Sequence, residues 1–284
     1  MPLTAASSSS MSGFTREPMT LKRRLKFLLY NFVPGFAGRF TYYGSAVHFP
    51  PGAPVFREIC ERGAFEPEVI DRLCKLARPG TTIFDVGANI GLMAIPVLRG
   101  CETCRVVSFE PSPNSLPYLR ATASGSMFAD RWLVRGVALS ASPGELDFTI
   151  GRPEDALFEG FNSSATIANA RVIKVMVSTL DQEWRVLDRP RVSVIKIDVE
   201  GAEGGVLDGA SELLAAERPT IVLEWVESYL SRFGTRVDSL LTLADRFGYQ
   251  LFTIPAGVPV NGSAALRVQM LSCQNYLLVP KERQ

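Results

Sequence analysis

The chain has 284 residues, 46% of them apolar, with 30 basic side chains against 29 acidic ones. That length suits one large domain or two small ones with a substantial core, and charges that cancel and intersperse exclude nucleic acid as the partner that composition would announce. Five cysteines without regular spacing argue against a disulfide framework and for a reducing cytoplasm; Cys101 and Cys104 form a CxxC with no second pair or nearby histidine, which reads as a loop whose cysteines happen to be close rather than as a zinc or redox site.

In chain order, the opening MPLTAASSSSMSGFTREP is Ser-rich and aperiodic, and is expected to be disordered. Leu21 to Phe36, LKRRLKFLLYNFVPGF, sets a basic start against an apolar patch. No run reaches the roughly 18 apolar residues of a membrane span, and Lys26 interrupts this one. A secretory signal is therefore disfavoured, leaving an amphipathic helix docked on the body or weak association with the inner face of a membrane. Residues 1–54 are read as an N-terminal extension and 55–284 as the main domain. Within the extension, RFTYYGSAVHFPPG offers Tyr42, Tyr43 and Phe49 for packing or for stacking on a ring. His48, the only histidine, is a candidate base there.

From Phe65 the pattern is regular. Val69, Ile70, Leu73 and Leu76 recur at helical spacing before Pro79 and Gly80. Strands are predicted at Thr82 to Val86, Arg105 to Phe109, Trp132 to Ala138, Val192 to Asp198, Thr220 to Trp225, Tyr249 to Ile254 and Gln274 to Val279. Helices are predicted at Ile90 to Leu98, Ser112 to Ser124, Gly204 to Ala216 and Arg236 to Phe247. The alternation predicts a doubly wound α/β sheet. GELDFTIG and ARVIKVMVSTLD read as two further strands flanking RPEDALFEGFNSSATIAN, a polar loop long enough to have a function.

Such a sheet binds ligands beyond the carboxyl ends of its strands, where the strand order reverses. The first strand runs into DVGANIG, in which Gly87 and Gly91 let the chain turn tightly and let a ligand approach the backbone. A dinucleotide fingerprint, G-x-G-x-x-G, is missing. Asp85 puts a negative charge in the loop, which repels pyrophosphate and suits a cation such as the sulfonium or ammonium of S-adenosylmethionine. Glu110, at the end of the next strand and roughly 20 residues on, can accept both ribose hydroxyls of an adenosine. In VSVIKIDVEGAEGGVL, Asp198 ends the fourth main strand and faces the reactive end of the cofactor, with Glu200 on the following loop. Glu203 serves either this site or the dipole of its helix, and Lys196 is read as structural. Glu224 ends the fifth strand on the same edge, where it binds the acceptor or holds a loop. A nicotinamide oxidoreductase and a non-catalytic S-adenosylmethionine-binding protein stay open as alternatives.

FDVGANIG, FEPSP, VSTLD, IKIDVEGAEGGVLDGA and PTIVLEW, in this order, resemble the FkbM family of S-adenosylmethionine-dependent methyltransferases over about Phe65 to Pro280. The resemblance implies a class I methyltransferase fold with strand order 3-2-1-4-5-7-6 and the last strand antiparallel, and O-methylation of a sugar, glycan or other secondary metabolite. It places Asp85, Gly87, Asn89 and Gly91 along the amino-acid portion of the cofactor and Glu110 on its ribose. Asp198 and Glu200 border the transferring methyl group and the acceptor, with Asp198 the first candidate base and Glu200 the second. Ser163 and Ser164 match a polar element of the family. LVRGVAL departs from it, having glycine where many relatives have asparagine before Val-Ala-Leu. No metal is assigned, although Asp198, Glu200, Glu203 and Glu224 are hard oxygen ligands of the kind magnesium accepts.

Overall fold

The structure is a computed structural model and describes residues 21, 25, 29, 38–50, 54–151, 160 and 170–283. The expectations for the Ser-rich start, for Ser163 and Ser164, and for most of Leu21 to Phe36 lie outside those residues; Leu21, Leu25 and Leu29 are helical and exposed. Among the described residues no helix is long and apolar enough to cross a membrane.

The chain runs through strands β1 (Gly38–Tyr42) and β2 (Ser45–Phe49), helices α1 (Pro54–Arg62) and α2 (Pro67–Leu76), then β3 (Thr82–Val86), α3 (Ala94–Gly100), β4 (Arg105–Phe109), α4 (Leu116–Ser124) and β5 (Trp132–Arg135). Next come β6 (Ala138–Leu139), β7 (Gly144–Ile150), β8 (Arg171–Ser178), α5 (Leu180–Val186), β9 (Val192–Ile197), α6 (Glu203–Asp208) and α7 (Ser211–Glu217). The last part holds β10 (Thr220–Glu224), α8 (Glu227–Leu230), α9 (Ser239–Phe247), β11 (Tyr249–Thr253), α10 (Ser263–Gln269) and β12 (Asn275–Pro280). Seven strands form one sheet in the order β11-β12-β10-β9-β3-β4-β5. β12 is antiparallel to both neighbours, and the pairs from β10 to β5 are parallel. This is the class I methyltransferase order, 3-2-1-4-5-7-6 read from the β5 edge. β3 and β9 are buried at every position, as strands covered by helices on both faces must be. Chain order reverses between them, so the loops at their carboxyl ends part and leave a crevice.

The extra strands form a separate three-stranded sheet, β6-β8-β7. The predicted strand from Trp132 to Ala138 therefore divides, with β5 in the main sheet and β6 in the small one. Gly136 lies at the break, where a Cβ would come within 2.8 Å of Leu116 Cδ2. The predicted helix from Gly204 to Ala216 divides at Gly209, which a Cβ would bring within 2.2 Å of the Ser140 carbonyl.

β1 and β2 form a hairpin around Tyr43 and Gly44, both at positive φ, the conformation that matches a two-residue turn to strand twist. Phe40, Tyr42, Val47 and Phe49 from this hairpin are buried in the same cluster as α1, α2 and α3. Phe49 stacks on Phe56 at 4.8 Å between ring centroids. Tyr42 and Phe49 thus serve packing, and His48 donates its backbone N–H to Thr122 Oγ1 on α4. Cys101 and Cys104 are joined in a disulfide, which corrects the expectation of two unlinked cysteines. Their loop is held at a fixed width by Arg131, whose guanidinium donates to the Leu98, Cys101 and Cys104 carbonyls at 3.0, 2.9 and 2.8 Å.

Candidate active site

A cleft of about 1210 Å³, counted out to solvent, opens over the carboxyl ends of β3, β4, β9 and β10. Its first wall is the loop after β3. Gly87 and Ala88 donate their N–H groups to the Phe109 carbonyl, which fastens this loop to the end of β4. Asn89, in left-handed conformation, points its N–H at Glu110 Oε2 (2.9 Å), and Ser112 N–H donates to Glu110 Oε1 (2.8 Å). Two fixed donors therefore hold the Glu110 carboxylate at the mouth of β4, with Phe109, Leu139 and Phe148 supplying apolar surface beside it.

Lys196 forms the floor. It is 5% exposed, and its ammonium lies 3.0 Å from Asp198 Oδ2, 3.3 Å from the Gly87 carbonyl and 3.9 Å from Asp85 Oδ1. Burial opposes its charge, but Asp198, Asp85 and Glu66 outweigh that and raise its pKa. Asp85, 2% exposed, is raised by burial, against the pull of Lys196. Lys196 thus ties together the ends of β3 and β9, in keeping with its reading as structural.

The far wall is acidic. Asp198, Glu200 and Glu224 line it, with an oxygen of each within 4.8 Å of the others, a spacing that could hold a metal ion; of the three, Asp198 accepts from the Lys196 ammonium. Burial first and Asp198 second push Glu200 up to about 8 and Glu224 up to about 10. Glu200 sits at φ 57, and Gly201 follows at φ 105, where a Cβ would meet the Tyr229 carbonyl at 2.7 Å. Glu203 is a staple for this loop. Its Oε1 accepts from Val199 and Gly201 N–H, both at 3.1 Å, which goes beyond a favourable helix dipole.

Of the residues named from sequence, Gly87, Asn89, Glu110, Asp198 and Glu200 line the cleft, whereas Asp85 and Gly91 stand behind it. The glycines make room for the protein itself. A Cβ on Gly87 would lie 1.8 Å from the Asp198 carbonyl oxygen, and one on Gly91 would lie 2.6 Å from the Trp132 ring. Glu66 is a cleft residue that sequence reasoning missed. An acid ahead of Pro67 looks like an ordinary helix start, yet Glu66 makes no capping bond with its side chain. It lines the cleft, accepts from Asn275 Nδ2 at 3.4 Å, and is raised to about 7 by burial and then by Asp198.

A family model described as the methyltransferase FkbM domain matches residues 85–251. The hexuronic acid methyltransferase AglP of Haloferax volcanii is 29% identical over 194 residues, covering 67% of this chain and 71% of AglP. The 31-O-demethyl-FK506 methyltransferase FkbM of Streptomyces tacrolimicus is 27% identical over 162 residues, 48% of this chain and 61% of that one. A match to the AMB antimetabolite synthetase AmbE of Pseudomonas aeruginosa, 28% identical over 69% of this chain, spans only 10% of that protein. Among solved structures, methyltransferase FkbM from Methylobacillus flagellatus aligns with 79% of this chain and 58% of its own at 18% identity and TM-score 0.45.

Proposed function

From the premise that this chain belongs to the methyltransferase FkbM domain family, we propose that it moves a methyl group from S-adenosylmethionine to a hydroxyl oxygen of a sugar, glycan or other small metabolite. The observation that carries the reading is one cleft with two chemistries: the Glu110 carboxylate, fixed by Asn89 and Ser112 N–H groups, and the carboxyl cluster of Asp198, Glu200 and Glu224. The donor set fits the cofactor. Glu110 presents acceptors for ribose hydroxyls, and apolar Phe109, Leu139 and Phe148 offer a face to a purine. The name of the FK506 enzyme supports an oxygen acceptor, and that of AglP a sugar-derived one.

S-adenosylmethionine, when bound, supplies an electrophilic methyl group on a sulfonium centre. The chain's own part is positioning and proton handling. Alignment of two reactants accounts for much of the acceleration in such a displacement, and here the loop after β3 and the end of β9 are locked by Lys196. Asp198, held by the Lys196 ammonium, orients the acceptor. Glu200, with an oxygen free of protein partners and a pKa raised to about 8, takes the hydroxyl proton, since a base works best with a pKa near the working pH. This reverses the order of candidates drawn from the sequence.

Calorimetric titration with S-adenosylhomocysteine tests the cofactor site. Saturable binding is expected for the wild type, and binding about tenfold weaker or worse for Glu110→Ala. A folded wild type that does not bind removes the methyltransferase reading.

A further inference from the structure

The acceptor half of the cleft is lined by Glu66, Asp198, Glu200 and Glu224, which come from four separate places: the start of α2, the end of β9, the loop after it and the end of β10. Among the described residues that line the cleft, Lys196 is the one cation. Its ammonium is committed to Asp198, Asp85 and the Gly87 carbonyl, so it has little left to offer an anion in the cleft. Arg232 lies over the Tyr229 ring, outside the lining, with its positive charge directed on Glu200, whose pKa it lowers, and with Nη1 buried and without a hydrogen-bond partner. Glu200 Oε2 and Glu224 Oε2 are buried without a hydrogen-bond partner. Such oxygens are satisfied by hydroxyl donors, which an ionised carboxylate group in their place does not supply. A carboxylate would also press further negative charge on acids that already raise one another's pKa.

Resting on the methyltransferase reading, we propose that the acceptor is an uncharged ring whose hydroxyls donate to Glu66, Glu200 and Glu224, and that these residues exclude an acceptor carrying a carboxylate beside the reacting hydroxyl. Hexuronates would then be refused, in contrast to what the name of the relative AglP says of that protein. Glu66 acts here as a specificity residue from outside the span that the family model matches.

The test uses two probes that share one ring and differ in charge, methyl β-glucopyranoside and methyl β-glucuronopyranoside. Each is titrated into the full-length protein saturated with S-adenosylhomocysteine, and binding is read by saturation-transfer difference NMR. The glucoside is expected to bind about tenfold more tightly than the glucuronide, and the Glu66→Gln, Glu224→Gln double variant to narrow that gap to about threefold or less. Glucuronide binding as tight as glucoside binding, or binding of neither probe, overturns the proposal. The wild-type pair decides even where the double variant fails to fold. Failure at the saturation step itself counts against the methyltransferase reading, and so is told apart from failure of the acceptor proposal.

Discussion

Lys196 concentrates the electrostatics of the site in one side chain. Removing one partner of a buried charge group leaves the others uncompensated, which costs about 3–5 kcal/mol. Lys196→Met is therefore expected to lose stability of that order in urea unfolding, because Asp85 is buried and has Ser108 Oγ as its other neighbour, at 3.4 Å. An unshifted midpoint would mean that Asp85 is uncharged in the fold. Gly87→Ala attacks the same junction sterically. With φ at +77 and the Asp198 carbonyl in the space of its Cβ, it is expected to cost about 2 kcal/mol or more, seen as a lowered melting temperature. At this scale the sequence was legible where a residue type was out of place, such as Asp85 and Glu110 at the ends of apolar strands. It was opaque for Glu66, whose role depends on the start of α2 lying across the cleft from β9, a matter of packing that spacing along the chain does not encode.

The carboxyl groups buried in and beside the cleft make stability depend on pH. Glu66, Glu203, Glu200 and Glu224 stand near 7, 7, 8 and 10 against a usual 4.5, chiefly through burial. The folded chain therefore holds protons that the unfolded chain has released, so their contribution is full below about 4.5 and is lost as pH rises toward 10. The melting temperature of the unliganded protein is expected to fall between about pH 5 and 9, and to fall less in Glu224→Gln, which has no proton to lose there. A parallel decline in both proteins would refute the assignment to Glu224. The central strands themselves were readable to within a residue, because β3, β4, β9 and β10 are short apolar runs ended by an acid. Helices α1, α5, α8 and α10 were not predicted, and two elements read as continuous are broken by contact with another part of the chain. Gly209 and Gly136 interrupt a helix and a strand where other residues press on them. The hairpin β1–β2 was hidden by its brevity, since its alternation spans only five residues on each side.

Across the whole molecule, the segment read as an extension contributes to the main core. Phe40, Tyr42, Val47 and Phe49 are each at most 3% exposed, and burying a large apolar side chain is worth about 1.5–3 kcal/mol. Four of them together rival the 5–15 kcal/mol by which a whole domain is stable. Deleting residues 1–50 is thus expected to abolish cooperative thermal unfolding in calorimetry, and a truncated chain that melts in one sharp transition would show the hairpin to be dispensable. The two halves of the cleft differ in another way. On the side we assign to the cofactor, Gly87 is shaped around the Asp198 carbonyl, and Lys196 fastens β3 to β9, so neither of these two residues can change alone. On the side we assign to the acceptor, Glu66 and Glu224 come from separate elements, α2 and β10, linked through Asn275, which pairs with Glu224 in the sheet and donates to Glu66. A chain built this way can acquire a new acceptor by single steps on one wall while it inherits the other wall whole.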